Sequence, residues 1–436
     1  MSIRNIIIGI DGGSFDYIRF GIKKGLLPTF KKILNDGFYS NLQVTIPPVT
    51  IPSFPCLFSG LEVTDLGYCT FYDPTFGVFS SNLWKEKSIF NFDNIRIFCL
   101  NLPSTYPAWE INGEMITGLL TPFINDKMYY PKNLSDIIKQ NWIIDGSNIY
   151  EIFKAFNIKS SILLSKLGEN FDLLIYIIRI PDCITHHPKY KLKITEELIK
   201  YGYSKIDNFL AKILNSKEFD NLFIISDHGL EIYHYEFNIK RFLEKKKILF
   251  YNNDIISKFM SIFIKIFGIF NRGIFDTTYF HNQFKRVIDP IRKIFIKSSE
   301  ANNTLQNTRF VHFYSNFGGI YLNKEDKVSI DKIKVVLQNC KYVKKIIQFN
   351  RSTLPDLIII LKEKYLFSVK SSFFVRNRFN SFNHSENGIF IAYGKNIQKG
   401  RDIIVSYKDF APTLLKLHNI KTPNHMKGKV LSIFKS

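Results

Sequence analysis

Short apolar runs recur along the chain, and most of them end in a polar residue or a glycine. Their length and richness in β-branched residues predict buried strands. The five predicted strands are NIIIGID (5–11), 93–103, 171–182, 219–229 and 388–394. Helical patterns lie between them, among them FKKILNDG (30–37) and the long segment 193–214. Strands that are apolar on both faces and alternate with helices indicate an α/β fold: a mostly parallel central sheet with helices on both faces.

The alternation of predicted strands and helices is interrupted between residues 232 and 312. This segment is rich in Lys, Phe, Ile and Asn and mostly helical in pattern. We therefore predict a catalytic domain made of 1–231 and 313–436, with 232–312 as a variable, mainly helical insertion that covers the site. Residues 255–295 combine Phe and Ile with Lys. That composition suits peripheral contact with an anionic membrane surface.

Composition and charge narrow the class of partner. The chain has 436 residues, 45% of them hydrophobic and 22% charged, with a formal net charge of +21. The excess of positive charge favours an anionic partner such as a phosphate ester or an acidic lipid. The basic charge is scattered and no nucleic-acid-binding motif accompanies it, so a nucleic acid partner is not predicted.

The cysteines and the N-terminal segment suggest a location. Five cysteines without a CxxC pair argue against a disulfide framework and for a reducing compartment. The first apolar run is too short for a signal peptide, and no uncharged run reaches the ~20 residues of a membrane span. We therefore expect a cytoplasmic protein.

Carboxylates and imidazoles follow the predicted strands. Asp11 ends the first, Asp182 and His186 follow the third at an i, i+4 spacing, Asp227 and His228 end the fourth, and His384 precedes the fifth. Because ligands bind beyond the carboxyl ends of such strands, we expect these side chains to meet. An aspartate after a strand is also a common helix cap, and each histidine alone is compatible with a surface position. Together the six match the nitrogen and oxygen ligands of zinc, manganese or iron, and with one hydroxyl they suffice for two metals.

The stretch VTIPPVTIPSFPCLFSG (44–60) supplies the hydroxyl. Pro47 and Pro48 stiffen the approach, and Pro52 suits the first turn of a helix. Thr50 would then lie at the positive end of that helix, where a phosphate is readily bound. A metal beside its oxygen would make it an alkoxide nucleophile. The alternative is that Thr50 serves only as a helix N-cap.

With these residues identified, the chain resembles the alkaline phosphatase superfamily, in particular the type I phosphodiesterase/nucleotide pyrophosphatase branch with its predicted prokaryotic phosphohydrolases and phosphomutases. The resemblance runs nearly end to end. It is carried by IIIGIDGGSFD, GLLPTFKKILNDG, PPVTIPSFPCLFSGLEVTDLGY, NLPSTYPAWEINGEMITGLLTP, DCITHH, ISDHG, NHSENGIFIAYG and the tail YKDFAPTLLKLHNIKTPNHMKGKVL. No single piece is specific, but the ordered set is.

The resemblance implies a role for each site residue. Asp182, His186 and His384 would hold one metal, and Asp11, Asp227 and His228 the other. Thr50 would lie against the second metal and attack phosphorus. The implied metals are two zinc ions, with manganese, magnesium or iron as alternatives.

The implied function is that of a metal-dependent phosphoric ester hydrolase of the phosphodiesterase or pyrophosphatase type, acting through a phosphothreonine intermediate. The expected substrate is a small anionic phosphoester, a phospho-glycan or a lipid head group. Eukaryotic nucleotide pyrophosphatases often place an asparagine three residues after the nucleophile, where this chain has Ser53, so a nucleotide preference stays open. The alternatives are a phosphomutase of the same superfamily and a membrane-surface protein with reduced catalysis.

Overall fold

The computed structural model describes residues 4–435 except 71, 74–76, 140–141, 145, 147, 188–190, 247, 249–308, 313–315, 323–329, 350–353, 369–374 and 402–403. The chain divides into two compact units. The first comprises residues 1–71, 78–232 and 380–436, and the second comprises 72–77 and 233–379. Most of the predicted insertion 232–312, and all of 255–295, lies outside the described residues, so both stay predictions.

The strands are β1 (Asn5–Ile10), β2 (Phe38–Gln43), β3 (Tyr72–Asp73), β4 (Gly77–Val78), β5 (Ile97–Leu102), β6 (Gly113–Thr117), β7 (Tyr129–Tyr130), β8 (Leu173–Ile178), β9 (Asn221–Ile225), β10 (Gly229–Phe237), β11 (Arg309–His312), β12 (Phe317–Tyr321), β13 (Val343–Gln348), β14 (Leu357–Leu361), β15 (Tyr365–Phe367), β16 (Val375–Ser385), β17 (Asn387–Gly394), β18 (Gly400–Arg401) and β19 (Val405–Ser406). The α-helices are α1 (Phe15–Lys23), α2 (Pro28–Asp36), α3 (Thr50–Ser59), α4 (Val63–Leu66), α5 (Ser135–Lys139), α6 (Ile149–Lys166), α7 (Ile180–Thr185), α8 (Leu192–Ser216), α9 (Ile239–Lys245), α10 (Ile330–Gln338) and α11 (Phe410–Leu417). Among the described residues, no helix is long and apolar enough to cross a membrane.

The first unit is built on a large mixed sheet. Its strand order in the described part of the chain is β18-β2-β17-β9-β1-β8-β5-β6-β7, with β19 also paired to β2. Neighbouring strands from β9 through β1, β8 and β5 to β6 are parallel, whereas β17 runs antiparallel to both of its neighbours. Every residue of β1, β5, β8 and β9 is buried, as expected for central strands covered on both faces. The predicted α/β fold with a mostly parallel sheet is confirmed.

The strand register brings several chain segments to one edge of this sheet. Ile10 of β1 pairs with Ile178 of β8, and Gly9 pairs with Ile225 of β9, so these three strands end side by side. The antiparallel strand β17 begins at the same edge, because its Phe390 pairs with Ile225. Residues just after β1, β8 and β9 and just before β17 therefore lie close together.

Helix α3 brings the proline-rich segment to this edge. Thr50 is its first residue, Val49 is the N-cap without a side-chain hydrogen bond, and all residues of the helix are buried. The alternative of Thr50 as the N-cap is thus wrong by one position. A Cβ at Gly9 of β1 would clash with Ile177 Cδ1 and lie 3.3 Å from the Phe54 ring of this helix, so glycine leaves room for both.

The second unit has its own core. The described strands β11-β12-β14-β13 form an antiparallel sheet, and β10 pairs in parallel with β15. Helix α10 packs against β13. The apolar core includes Phe237, Ile320, Leu337 and Ile359.

A buried carboxylate on α8 caps the N-terminus of α2. Asp207 accepts hydrogen bonds from the backbone N–H of Phe30 at 2.8 Å and of Thr29 at 3.2 Å, while the N-cap residue Leu27 has no side-chain acceptor. Asp207→Ala leaves two buried donors without a partner, so we expect the free energy of unfolding to fall by about 2 kcal/mol. Urea denaturation measures this change. Asp207→Asn, which keeps one acceptor, should lose less, and Glu197→Ala on the exposed face of α8 should change little; equal midpoints for Asp207→Ala and wild type would contradict the tertiary cap.

Candidate active site

All seven residues singled out in the sequence meet at the sheet edge of the first unit. Six of them are buried, and His186, whose side chain is 43% exposed, is the one that reaches solvent. Asp11 follows β1, Asp182 lies in the first turn of α7, the pair Asp227 and His228 follows β9, and His384 lies near the end of β16.

One cluster consists of Asp182, His186 and His384. Asp182 Oδ1 lies 3.1 Å from His186 Nε2 and 3.3 Å from His384 Nε2, and the two Nε2 atoms are 3.0 Å apart. Three potential ligand atoms that lie within 3.3 Å of one another can bind the same cation.

A second cluster consists of Asp11, Asp227 and His228. His228 Nε2 lies 3.2 Å from Asp11 Oδ1 and 3.5 Å from Asp227 Oδ2. Gly12 takes a left-handed conformation (φ +71°), and its N–H donates to Asp227 Oδ1 at 3.4 Å. A side chain at position 12 would be strained in this turn, which holds Asp11 beside Asp227.

The two clusters are in contact. His228 Nε2 is 3.8 Å from Asp182 Oδ1, and the rings of His228 and His384 stack with centroids 3.6 Å apart. Asp182, His228 and His384 consequently form a further compact group of potential metal ligands. The assignment of each histidine to one of two metals, as implied by the family resemblance, stays a prediction.

Backbone carbonyls orient two of the imidazoles. His228 Nδ1 lies 3.0 Å from the Gly229 carbonyl oxygen, and His384 Nδ1 lies 2.8 Å from that of Pro48. A carbonyl only accepts, so each Nδ1 donates its proton, and each Nε2, when deprotonated, presents a lone pair to the cluster. Histidines that bind metals are held in this way.

Two carboxylate oxygens indicate what the clusters are suited to bind. Within the described part of the chain, buried Asp182 Oδ1 and Asp227 Oδ2 receive no hydrogen bond of normal geometry. Imidazole Nε2 atoms lie 3.1 Å from Asp182 Oδ1 and 3.5 Å from Asp227 Oδ2, and a bound cation would satisfy these buried oxygens more fully. Together with the oriented imidazoles, they fit divalent metals that accept mixed nitrogen and oxygen ligands.

Burial and mutual charge shift the pKa values in the metal-free site. Burial and the charge of Asp11 raise the pKa of Asp227 to about 8. Burial lowers the pKa of His228, but the charges of Asp227 and Asp11 outweigh it and raise that pKa to about 10. Burial and the neighbouring His228 lower the pKa of His384 to about 4. Without metal ions, the proton on His228 thus supplies part of the positive charge that the carboxylates require.

The pKa values of Asp182 and His186 shift in opposite directions. Burial alone would raise the pKa of Asp182, but the charge of His186 brings it well below its ordinary value. Partial desolvation of its ring would lower the pKa of His186, but the Asp182 carboxylate raises it. Each partner thus favours the charged form of the other in the metal-free protein.

Thr50 lies against the second cluster. Its hydroxyl oxygen is 3.3 Å from Asp11 Oδ1 and 3.3 Å from His228 Nε2. As the first residue of α3, it also lies beside backbone N–H groups that have no partner within the helix. This is the arrangement expected of a nucleophile placed next to an anion-binding helix end.

Arg179 is part of the site and was missed in the sequence analysis. Its Nε lies 2.8 Å from Asp11 Oδ2, and its Nη2 lies 3.1 Å from Asp182 Oδ2. The available signal was its position directly after β8 and three residues before Asp182, which places both side chains on one turn.

Comparison with known proteins identifies the family. Residues 5–373 match the family model described as type I phosphodiesterase / nucleotide pyrophosphatase. Searching the curated proteins produced no match.

Solved structures share the fold at low sequence identity. Murine ectonucleotide pyrophosphatase / phosphodiesterase 5 has a TM-score of 0.60 and 12% identity, and the human protein has 0.60 and 14%; in both cases the match covers 100% of each chain. An inactive form of the murine protein is known in complex with AMP. Phosphonoacetate hydrolase from Sinorhizobium meliloti 1021, in complex with phosphonoformate, has a TM-score of 0.59 and 12% identity over 90% of each chain. The chain thus belongs to the type I phosphodiesterase/nucleotide pyrophosphatase family of the alkaline phosphatase superfamily, and it is a phosphoric ester hydrolase.

Proposed function

We propose that the protein hydrolyses phosphodiesters or pyrophosphates through a phosphothreonine formed on Thr50, with two divalent metals bound by the flanking clusters. One observation carries this proposal: the Thr50 hydroxyl lies 3.3 Å from both Asp11 Oδ1 and His228 Nε2, at the first residue of a buried helix.

The chain's own residues prepare Thr50 for attack. Its hydroxyl donates to Asp11 Oδ1, which directs an oxygen lone pair away from that carboxylate. The N-terminus of α3 favours the negative charge of a phosphoryl group next to this oxygen. Attack would form the bond between Thr50 Oγ1 and phosphorus and break the bond between phosphorus and the leaving oxygen, which takes up the proton that Thr50 loses. Water then breaks the same bond and restores the hydroxyl.

The donor set indicates the kind of metal. Asp182, His186 and His384 would hold one ion, and Asp11, Asp227 and His228 the other. Imidazole nitrogens suit zinc, manganese or iron better than magnesium, which prefers oxygen ligands. When bound, such ions polarise phosphoryl oxygens and lower the pKa of the attacking and leaving oxygens.

A nucleotide-like phosphoester is the substrate class we favour. The murine relative binds AMP, and the net charge of +21 suits an anionic substrate. Ser53, which stands where nucleotide pyrophosphatases often have asparagine, is directed elsewhere, since its hydroxyl is 2.5 Å from Thr45 Oγ1. Other groups would therefore contact the phosphate at that position.

A metal-reconstituted assay on bis-p-nitrophenyl phosphate and p-nitrophenyl phosphate in parallel tests the proposal. We expect the diester to be cleaved at least about tenfold faster, with zinc or manganese supporting the reaction and chelator abolishing it. Preference for the monoester would contradict the diesterase assignment. Inactivity on both compounds with metals bound would favour transfer of the phosphoryl group to a sugar hydroxyl, and NMR detection of isomerised sugar phosphates would then establish a mutase.

A further inference from the structure

The Arg179 guanidinium bridges one carboxylate from each cluster. Nε contacts Asp11 Oδ2 at 2.8 Å, Nη2 contacts Asp182 Oδ2 at 3.1 Å, and the side chain is only 11% exposed. A buried guanidinium that contacts two acids from different segments of the chain is a fixed charge in a low-dielectric position.

Topology places Arg179 between the two aspartates. Ile10 and Ile178 are partners on adjacent parallel strands, and the Asp11 N–H donates to the Ile178 carbonyl at 2.9 Å, so Asp11 and Arg179 leave the sheet side by side. Arg179 is also the N-cap of α7, and Asp182 lies three residues further along. Its contacts with both acids therefore follow from strand register and helix geometry.

The two oxygens of each carboxylate have separate partners. Arg179 takes Oδ2 of Asp11 and Oδ2 of Asp182, whereas Oδ1 of each faces the imidazoles. The guanidinium therefore leaves one oxygen of each aspartate facing the place where a cation would bind.

We propose that Arg179 is an internal counter-ion: it compensates the buried carboxylates in the metal-free protein and weakens divalent-ion binding at both clusters. This inference rests on the proposed metal-dependent function. As a positioning residue, Arg179 keeps the carboxylates in place before ions arrive, and its positive charge keeps the bound ions exchangeable.

Magnitudes decide the sign of the effect on metal binding. Loss of an outer partner of a metal ligand weakens binding by about 10–100-fold. A unit charge and a divalent ion within about 8 Å repel enough to change an affinity by about 10³-fold at an effective dielectric near 20. The gain in affinity from removing the repulsion exceeds the loss from less ordered carboxylates. Replacing Arg179 by an uncharged residue should therefore tighten divalent-ion binding by at least about tenfold.

The test compares Arg179→Met, Arg179→Lys and a matched control, Arg96→Met. Arg96 is exposed, stacks on the Phe171 ring at 5.0 Å and precedes β5 at the opposite edge of the sheet. Thermal unfolding is measured in chelator and again with added zinc, and zinc affinity is measured by competition with a chromophoric chelator.

In chelator, we expect Arg179→Met to unfold about 5–10 °C below wild type, because two buried carboxylates lose their counter-charge. Added zinc should recover most of this loss, and zinc affinity should rise at least about tenfold. Arg179→Lys, which keeps the charge, should bind zinc like wild type, and Arg96→Met should match wild type throughout.

Equal stability of Arg179→Met and wild type in chelator, or unchanged or weaker zinc binding by that variant, overturns the inference while leaving the proposed function intact. Wild-type protein that binds no divalent ion overturns both. A methionine variant that folds only with zinc supports the inference. If it folds under neither condition, wild-type zinc affinity in Arg179→Lys supports the inference, and altered affinity overturns it.

Discussion

Replacing Thr50 with alanine should lower kcat by at least about 10³-fold while divalent ions stay bound. The substitution removes the oxygen that would attack phosphorus and leaves all six proposed carboxylate and imidazole ligands in place. Alanine is also compatible with the first position of a helix, and the adjacent cap residue Val49 contributes no side-chain hydrogen bond that could be disturbed. The fold and the metal clusters should therefore be unaffected.

Thr50→Ser is the matched control, because it keeps the hydroxyl and removes only the methyl group. It should retain measurable turnover and form a phosphoenzyme that can be trapped at low pH, whereas Thr50→Ala should form none. Steady-state rates and bound metal are measured on the same preparations. Full activity in the alanine variant would show that another group attacks phosphorus, and loss of metal with activity would show that Thr50 acts chiefly as a ligand.

The five strands that the sequence predicted consist mainly of apolar residues, but burial alone did not decide which strands were found, since β14 (LIIIL) is buried throughout and was missed. Strands β1 and β8 are buried throughout and, apart from Asn5, apolar, because both faces are covered, so they are easily recognised in the sequence. The strand β2, FYSNLQ, alternates buried and exposed residues with polar side chains and was overlooked. The antiparallel direction of β17 could not be inferred, because hydrophobic periodicity carries no information about strand direction.

Site residues that could be recognised from their neighbours in the sequence were found, whereas those whose role depends on strand pairing were not. Asp11, Asp182 and Asp227 were found because each directly follows a strand, and the structure brings them together while their metal-binding roles stay predictions. Arg179 was missed because its significance depends on the register between β1 and β8, which only the fold reveals. The stacking of His228 on His384 likewise depends on the reversed strand β17.

The Asp227→Asn variant should be more stable than wild type in the absence of metal and less stable in its presence. In the metal-free protein, Asp227 faces Asp11, Asp182, His228 and Thr50, and burial together with Asp11 raises its pKa from 3.8 to about 8. Between pH 3.8 and about pH 8, Asp227 in the folded protein therefore keeps a proton that the unfolded chain has released. Wild-type stability must fall as pH rises through this window, and asparagine removes that contribution.

Urea denaturation of the metal-free proteins at low and high pH checks the first half of this prediction. Near the upper end of the window, the variant should exceed wild type by about 2 kcal/mol, and the difference should shrink toward pH 5. Asp220→Asn is the control of opposite sign, because Lys395 and the Arg4 N–H lower the pKa of Asp220 against the effect of burial. It should be less stable than wild type above the ordinary aspartate pKa.

Added zinc checks the second half, because it should reverse the order of stability. At a thousandfold excess over Kd, binding stabilises a folded protein by about 4 kcal/mol, which exceeds the cost of the buried charge that asparagine removes. The variant lacks one carboxylate of the Asp11, Asp227 and His228 cluster, so it should gain much less from zinc and lose turnover. A variant that zinc stabilises as much as wild type would exclude Asp227 as a ligand. A variant that is less stable than wild type in chelator would contradict the first half of the prediction. It would mean that Asp227 stabilises the metal-free fold, and that His228 and Arg179 alone compensate the charge of the buried carboxylates.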